Sequence, residues 1–415
     1  MIDSKDRDIL RSLAARQMEY ALSADMQECI RLWKKHNDFN QERPMLQLEL
    51  WTFEKDLLPQ RLKCTDPEAR AIEAQIQRYL IPYEVYHDDQ VIPAYFPVSW
   101  NTWFKLFDHD IPGASNDPEK LETQFETLIG DLENDVPNLP ASTWGVNREA
   151  TERYFELVDG LFGDILPPKM SMNCLYSVPT QEVVHRMSME EMYIGMYDCP
   201  DEFKMLMQRI VNDTCAYFRW LENEKLLFPT VDGERLAQAS YCFTSELPAS
   251  TEDLGRDLTT KDVWGFMDSQ ETVSISPAMF GEFIFPYYKQ IAQQFGLLSY
   301  GCCEPVNPIW DNYISTLPNL RKVSISPWCD EEFMGERLQG KRITFHRKPS
   351  PNFLGVSANL DEDALRAHFN KTISAAKGCN LEFSQRDVYT LSGRIENARR
   401  YVEILRECID KNWKG

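Results

Sequence analysis

The stretch "SPAMFGEFIFPYYKQIAQQFGLLSYGCCEP", residues 276–305, decides the fold. Ser276 is a helix cap, Pro277 sits in the first turn and Gly296 closes the end, so residues 276–296 read as one helix. Leu297 to Tyr300 then form an apolar run that passes at once into Gly301, Cys302, Cys303, Glu304 and Pro305. That is the pattern of a buried strand ending in a polar loop. A helix that feeds a strand directly is the repeating unit of a parallel α/β sheet.

The same alternation continues to the C-terminus. Helix "PIWDNYISTLP" is followed by strand "RKVSISPW", helix "DEEFMGERLQ", strand "RITFHRKPS", helix "DEDALRAHFNKTISAAKG", strand "CNLEFS" and helix "RIENARRYVEILRECIDKN". Upstream, "RLAQASYCFTS" (235–245) and "VWGFMDSQETVSIS" (263–276) also read as strands. Residues 91–415 have room for eight strand–helix units, which favours a closed (β/α)8 barrel of the TIM type over an open sheet. Residues 1–90 differ in texture. Ile9, Leu10, Leu13, Met18, Leu22, Met26, Ile30 and Trp33 follow helical spacing, and so do Ile72, Ile76 and Leu80. No β-run is expected there. The expected organisation is a helical N-terminal extension over 1–90 and a barrel over 91–415. The stretch 110–145, rich in Pro, Asn and Asp, reads as an inserted loop region at one barrel face.

Bulk properties exclude several classes. The 415 residues carry a formal net charge of −21, a field that repels phosphate backbones and anionic lipid, so neither nucleic acid nor membrane is the expected partner. The N-terminus has charges where a signal peptide needs an apolar core, and no run approaches the ~20 apolar residues of a membrane span. A cytoplasmic location is expected, with the eleven cysteines as reduced thiols. There is no CxxC, no GxGxxG and no GxxxxGK[ST], so zinc-ribbon, dinucleotide and P-loop chemistry have no support.

In a barrel the chemistry sits where strands end and the following loops begin. Polar clusters fall at such ends: Asp268, Gln270 and Glu271; Cys302, Cys303 and Glu304; Trp328, Cys329 and Asp330; His346, Arg347 and Lys348; Cys379 and Glu382. Side chains alternate along a strand, so Tyr300, Cys302 and Glu304 are expected on one face, and Cys303 on the other, against a helix. One thiol and one carboxylate aimed at a common point are two of the ligands zinc takes. Cys379, on another expected strand, is the natural second thiolate, with Cys329 and His346 as weaker candidates. The same residues also have plain structural readings. A buried cysteine pair is more often core filler, His346 a hydrogen-bonded core or substrate-side residue, and Glu304 a helix cap. Arg347 and Lys348 form either a solvated rim or an anchor for a substrate anion. Spacing alone leaves these open.

The segment 268–305 is similar to the uroporphyrinogen decarboxylase superfamily. It carries Ser276–Pro277, then Phe285–Pro286–Tyr287, then the strand running into Tyr300 to Pro305. The closing "GVSANLDEDALRAHFNKTISAAKGCNLEFSQRD" resembles that superfamily's last units. True decarboxylases of this type use an RQAGR-type motif. Here "NQERPMLQLELW" (40–51) has Arg43–Pro44 without a following arginine pair, which speaks against decarboxylation. The other branch comprises corrinoid-dependent methyltransferases that hold zinc by an HxC motif and a distant cysteine. The HxC register falls on Tyr300-Gly301-Cys302; the cysteines match and the histidine does not, with Glu304 as its replacement. The resemblance therefore implies one zinc per chain on Cys302, Glu304 and Cys379. It also implies methyl transfer between a small methylated substrate or thiol and a corrinoid on a partner protein. Glu271 would be a fourth ligand or a proton acceptor, and Asp268 and His346 substrate contacts. Two further readings stand beside this one: a metal-free carboxy-lyase using Arg347 or Lys348, and a non-catalytic corrinoid-binding or assembly protein. The helical leader either caps the barrel mouth or forms a homodimer.

Overall fold

Seven strands form one parallel sheet, and they are laid down in a nearly sequential order. The computed structural model describes residues 2–111, 127–233, 235–356 and 359–414. The strands are β1 (Met45–Leu48), β2 (Leu175–Tyr176), β3 (Trp264–Met267), β4 (Leu297–Tyr300), β5 (Leu320–Ile325), β6 (Thr344–Arg347) and β7 (Asn380–Gln385). They are hydrogen-bonded in the order β1-β7-β6-β5-β4-β3-β2, every pair parallel. Strands β4 to β7 and their helices are those expected from the sequence. They alternate short apolar runs with amphipathic segments, and each strand is buried on both faces, as a parallel sheet requires.

The structure differs from the expectation in one place and leaves a second incomplete. The first strand, β1, lies inside the mostly helical segment 1–90, where no β-run was expected: Met45 pairs with Glu382 and Leu48 with Gln385. Four residues bounded by Pro44 and a polar glutamate are too short to show a period, so the strand was hidden in the sequence. Closure is the second. Among the described residues no eighth strand joins β1 to β2. The Leu46 N–H donates to Asp89 Oδ2 at 2.9 Å and the Leu48 N–H to Asp88 Oδ2 at 2.8 Å, so carboxylates satisfy the edge where a strand would pair. The nearby "QVIPAYFPVSW" run does not fill the gap. Phe96–Val98 pairs instead with Pro168–Met170 in a separate two-stranded sheet, and Pro93 and Pro97 each lack the N–H a ladder needs. Among the described residues the sheet is a curled seven-stranded parallel half-barrel, consistent with the TIM-like class expected from the sequence.

The leader is otherwise helical as expected, over Ser4–Ala21, Ala24–Asn37 and Pro67–Ile81, capped by Asp3, Ser23 and Asp66. The helix expected over 276–296 is two helices, Pro277–Phe283 and Phe285–Ala292, broken at Ile284, because Pro286 has no N–H to continue the first one. Of the expected insertion at 110–145, residues 112–126 lie outside the described residues. Thr143–Val146 pairs antiparallel with Thr102–Lys105. No helix of the described residues is long and apolar enough to cross a membrane.

A hairpin, Arg235–Leu236 with Ser240–Tyr241, enters the space enclosed by the arc and ties it to the leader. Ser240 Oγ donates to Glu382 at 3.1 Å and accepts from Lys322 Nζ at 2.7 Å. Lys322 Nζ also reaches Glu382 Oε2 at 2.7 Å, His36 Nε2 of the leader lies 2.8 Å from the same oxygen, and His346 Nδ1 lies 3.2 Å from Oε1. All of these side chains are 0–1% exposed. Burial alone would push Glu382 up. Lys322, His346 and His36 outweigh it and hold the carboxyl well below its ordinary value. This network fills the interior among the strands, and a cavity opens at the strand ends.

Candidate active site at the strand ends

A cavity of about 530 Å³ opens where the strands end. Asp268 follows β3, Cys302 and Cys303 follow β4, Trp328 follows β5, Lys348 follows β6, and Arg386, Asp387 and Tyr389 follow β7; all line it. Four of its rings are among the most exposed in the protein: Trp51 63%, Tyr176 51%, Trp328 66% and Tyr389 58%.

Cys302 is strongly perturbed. Its strand ends at Tyr300, and Gly301 takes φ 100°, a left-handed conformation suited to glycine. A Cβ at Gly301 would also meet Ser324 Cβ at 3.0 Å. This turn breaks the alternation expected from the sequence. Both thiols face the cavity, with Cys302 Sγ 3.6 Å from Cys303 Sγ, and Cys303 Sγ 3.7 Å from Asp387 Oδ2. Arg386 Nη1 donates to Cys302 Sγ at 3.3 Å, and Lys348 Nζ donates to the Gly301 and Cys302 carbonyls at 3.2 and 3.4 Å. The hydrogen bond from Cys303 lowers the Cys302 thiol most; Lys348 and Arg386 add to it, and together they overcome burial to bring it down to about 5. Cys303, as the proton donor to that thiolate, is raised. Iodoacetamide at pH 6 should therefore alkylate Cys302 selectively, as read by peptide mass mapping, and Lys348→Met should move the labelling midpoint upward. Labelling that appears together with the other cysteines near pH 9 would show an ordinary thiol.

Asp268 stands beside this thiolate. It is 1% exposed, and its Oδ1 has no hydrogen-bond partner among the described residues. Burial first, then the charges of Glu304, Cys302 and Glu271, raise its carboxyl well above the ordinary value. A carboxylic acid held protonated in a cavity is a proton donor.

The zinc ligand set is not assembled. Cys379 precedes β7 and hydrogen-bonds the Gly335 carbonyl at 3.4 Å, whereas Cys302 meets Arg386, which follows β7. The six residues of that strand separate the two places by about 20 Å. Burial pushes the Cys379 thiol up to about 12. Glu304 is engaged by backbone, accepting from Ser269 N–H at 2.9 Å and Cys302 N–H at 2.8 Å. Among the described residues no three His, Cys, Asp or Glu side chains converge as a metal-holding group. The residues proposed for zinc do not fit it.

The other candidates divide in the same way. Glu271 turns from the cavity and accepts from Thr180 Oγ1 at 2.7 Å. His346 belongs to the interior network, 2.6 Å from Ser384 Oγ, burial pushes it well below its usual value, and it does not line the cavity. Arg347 is held by Glu331 at 2.7 Å and by the Ser326 carbonyl at 2.6 Å. Cys329 packs under the Val306 N–H at 3.4 Å. Arg386 was missed. The signal was present: Arg386 and Asp387 stand immediately after the last strand, where a barrel puts its chemistry. Gln238 and Trp51 gave no comparable signal, because a hairpin tip and a short helical turn bring them in from outside the arc.

No family model matches the chain, and no curated protein does. Among solved structures the chain is similar to a methyltransferase from Methanosarcina mazei, at 14% identity and a TM-score of 0.49 over 93% of this chain and 98% of that one. A likeness at that level says nothing of the chemistry at the cavity.

Proposed function

We propose that the protein is a methyltransferase that removes a methyl group from a heteroatom of a small substrate, with Asp268 in its acid form as proton donor to the departing heteroatom. The observation that carries this reading is the Asp268 carboxyl itself: buried, unpartnered at Oδ1, lining the cavity and held protonated beside a thiolate. In the reaction the bond between methyl carbon and heteroatom breaks, the heteroatom takes the Asp268 proton, and the methyl group passes to an acceptor. The proton neutralises the charge that develops on the leaving heteroatom, the task a Lewis-acidic metal performs in other sites. The Cys303 hydrogen bond, with Lys348 and Arg386, favours the charged form of Cys302, and that charge adds to burial and to Glu304 in raising the Asp268 carboxyl.

The acceptor in this reading is a corrinoid carried by a partner protein. It supplies a strongly nucleophilic metal centre. The exposed rings of Trp51, Tyr176, Trp328 and Tyr389 offer flat apolar surface around the opening where such a macrocycle would rest.

Incubation with free cob(I)alamin and a panel of small O-, N- and S-methylated compounds tests this, with methylcobalamin followed by its visible spectrum. Transfer is expected for part of the panel, at a rate unchanged by prior treatment with a metal chelator. A rate abolished by the chelator and restored by zinc would return the chemistry to a metal. Lys348 and Arg386 in the same cavity favour a metal-free carboxy-lyase as the second reading. Release of CO2 from carboxylated substrates, with no methylcobalamin formed, would select it.

A further inference from the structure

A second, smaller cavity of about 190 Å³ lies behind the first, between β1 and the inserted hairpin. Gln47, Glu49, Trp51, Arg78, Arg235 and Gln238 are among its walls, and Trp51 and Gln238 also line the larger cavity, so the two share a partition. Along β1 the apolar Leu46 and Leu48 join the main core, while Gln47, on the alternate face, is turned toward the hairpin.

Most charges in this smaller cavity are matched. Arg78 holds Glu54 through two hydrogen bonds at 2.7 and 2.8 Å, and Glu49 holds Arg386 at 2.8 Å. Gln238 accepts from Lys348 Nζ at 2.7 Å. Two donors are left over. Gln47 Nε2 and Arg235 Nη2 are both buried atoms with no hydrogen-bond partner among the described residues, and both side chains line this one cavity. Gln47 is 6% exposed. The Arg235 guanidinium lies 5.0 Å from the Tyr79 ring centroid and hydrogen-bonds the Tyr241 side chain, contacts that fix its plane and leave Nη2 unpaired. Buried polar groups in folded proteins are nearly always satisfied, and two unpaired donors on side chains that line one cavity point to an absent acceptor.

The turn that carries this wall is itself strained. Gln238 and Ala239 take φ 70° and 56°, left-handed conformations that non-glycine residues rarely adopt and that gather at binding sites. The Lys348 hydrogen bond to Gln238 ties that turn to the strand ends.

We propose that this cavity is a carboxylate subsite, in which Arg235 and Gln47 each donate to one oxygen of a carboxylate belonging to the substrate. Two orphan donors match two carboxylate oxygens, and the guanidinium supplies the single charge that a monoanion needs. A phosphate would leave further oxygens buried without donors. The site itself stands on the orphaned donors; its assignment to the substrate rests on the methyl-transfer reading. The substrate class is then a small methylated acid, its carboxylate behind the Trp51–Gln238 partition and its methylated heteroatom before Asp268.

The test is binding of sodium acetate to the full-length protein, measured by calorimetry and by the rise in melting temperature at constant ionic strength. Acetate is expected to bind saturably. Arg235→Gln and Gln47→Leu should each weaken it by at least about tenfold, while Arg148→Gln, a surface change, should leave it unaltered. Gln47→Leu stands alone as the decisive variant if Arg235→Gln does not fold. Absence of acetate binding, binding unchanged in both variants, or binding of inorganic phosphate in preference to acetate would overturn the proposal. Acetate binding without methyl transfer from any methylated acid would leave the subsite standing and remove the functional reading. Methyl transfer from neutral substrates without acetate binding would do the reverse.

Discussion

Asp268→Asn is expected to slow methyl transfer by about 10²–10⁴-fold, the range that a positioned general acid contributes. Asparagine keeps the shape of the side chain and removes its acidic proton. The backbone carbonyl of Asp268 still accepts from Tyr288 OH at 2.7 Å, so the loop after β3 should hold its place and substrate binding should change little. The loss should therefore fall on kcat rather than KM, as for an interaction used in the transition state. The pH profile gives a second readout. The folded carboxyl is raised, so the acid form persists through the range where an ordinary carboxyl has ionised, and activity should fall as pH rises through that raised value. In Asp268→Asn this alkaline limb should vanish. An unchanged rate, or a limb that survives the substitution, would remove Asp268 from the chemistry.

Glu382→Gln is expected to destabilise the fold by about 3–5 kcal/mol, the cost of removing one partner from a buried ion pair. Glu382 is the acceptor shared by Lys322, His346, His36 and Ser240, drawn from two strands, the leader and the hairpin. Without it the Lys322 ammonium is left buried and uncompensated. Urea denaturation would show the loss as a lower midpoint, and Lys322→Met in the same chain should restore part of it, since a well-packed apolar pair replaces a buried ion pair at little cost. Restoration absent from the double variant would mean that the two residues do not act as a pair.

The pH dependence of this network has a definite sign. Burial lowers His36 and His346 below their ordinary value, so the stability tied to their neutral forms is complete above about pH 6.5 and declines as pH falls toward their folded values. Glu382 is also lowered, and its contribution is lost at still lower pH, as pH falls through its folded value. Lys322 is lowered, chiefly by burial. In Glu382→Gln the deficit should therefore shrink as pH rises and Lys322 becomes neutral.

The sequence alone determined the α/β class, the four C-terminal strand–helix units and the level of the site. Those features are local: an apolar run, a cap, a proline and a polar residue just past a strand act within a few residues of chain. Asp268, Cys302 and Lys348 were placed at the strand ends in this way, because a strand end forces its next residues onto the same rim. What the tertiary structure alone decided is which side chains meet there. Gly301 turned both thiols inward, and the length of β7 put Cys379 at the wrong end of the sheet for any shared ligand. Carboxylates of Asp88 and Asp89 accept from the outer edge of β1, and a hairpin distant in sequence brought Gln238 and Arg235 into the opening. Each of these depends on the path of the chain through space and on the burial of charge against charge, and neither leaves a period in the sequence.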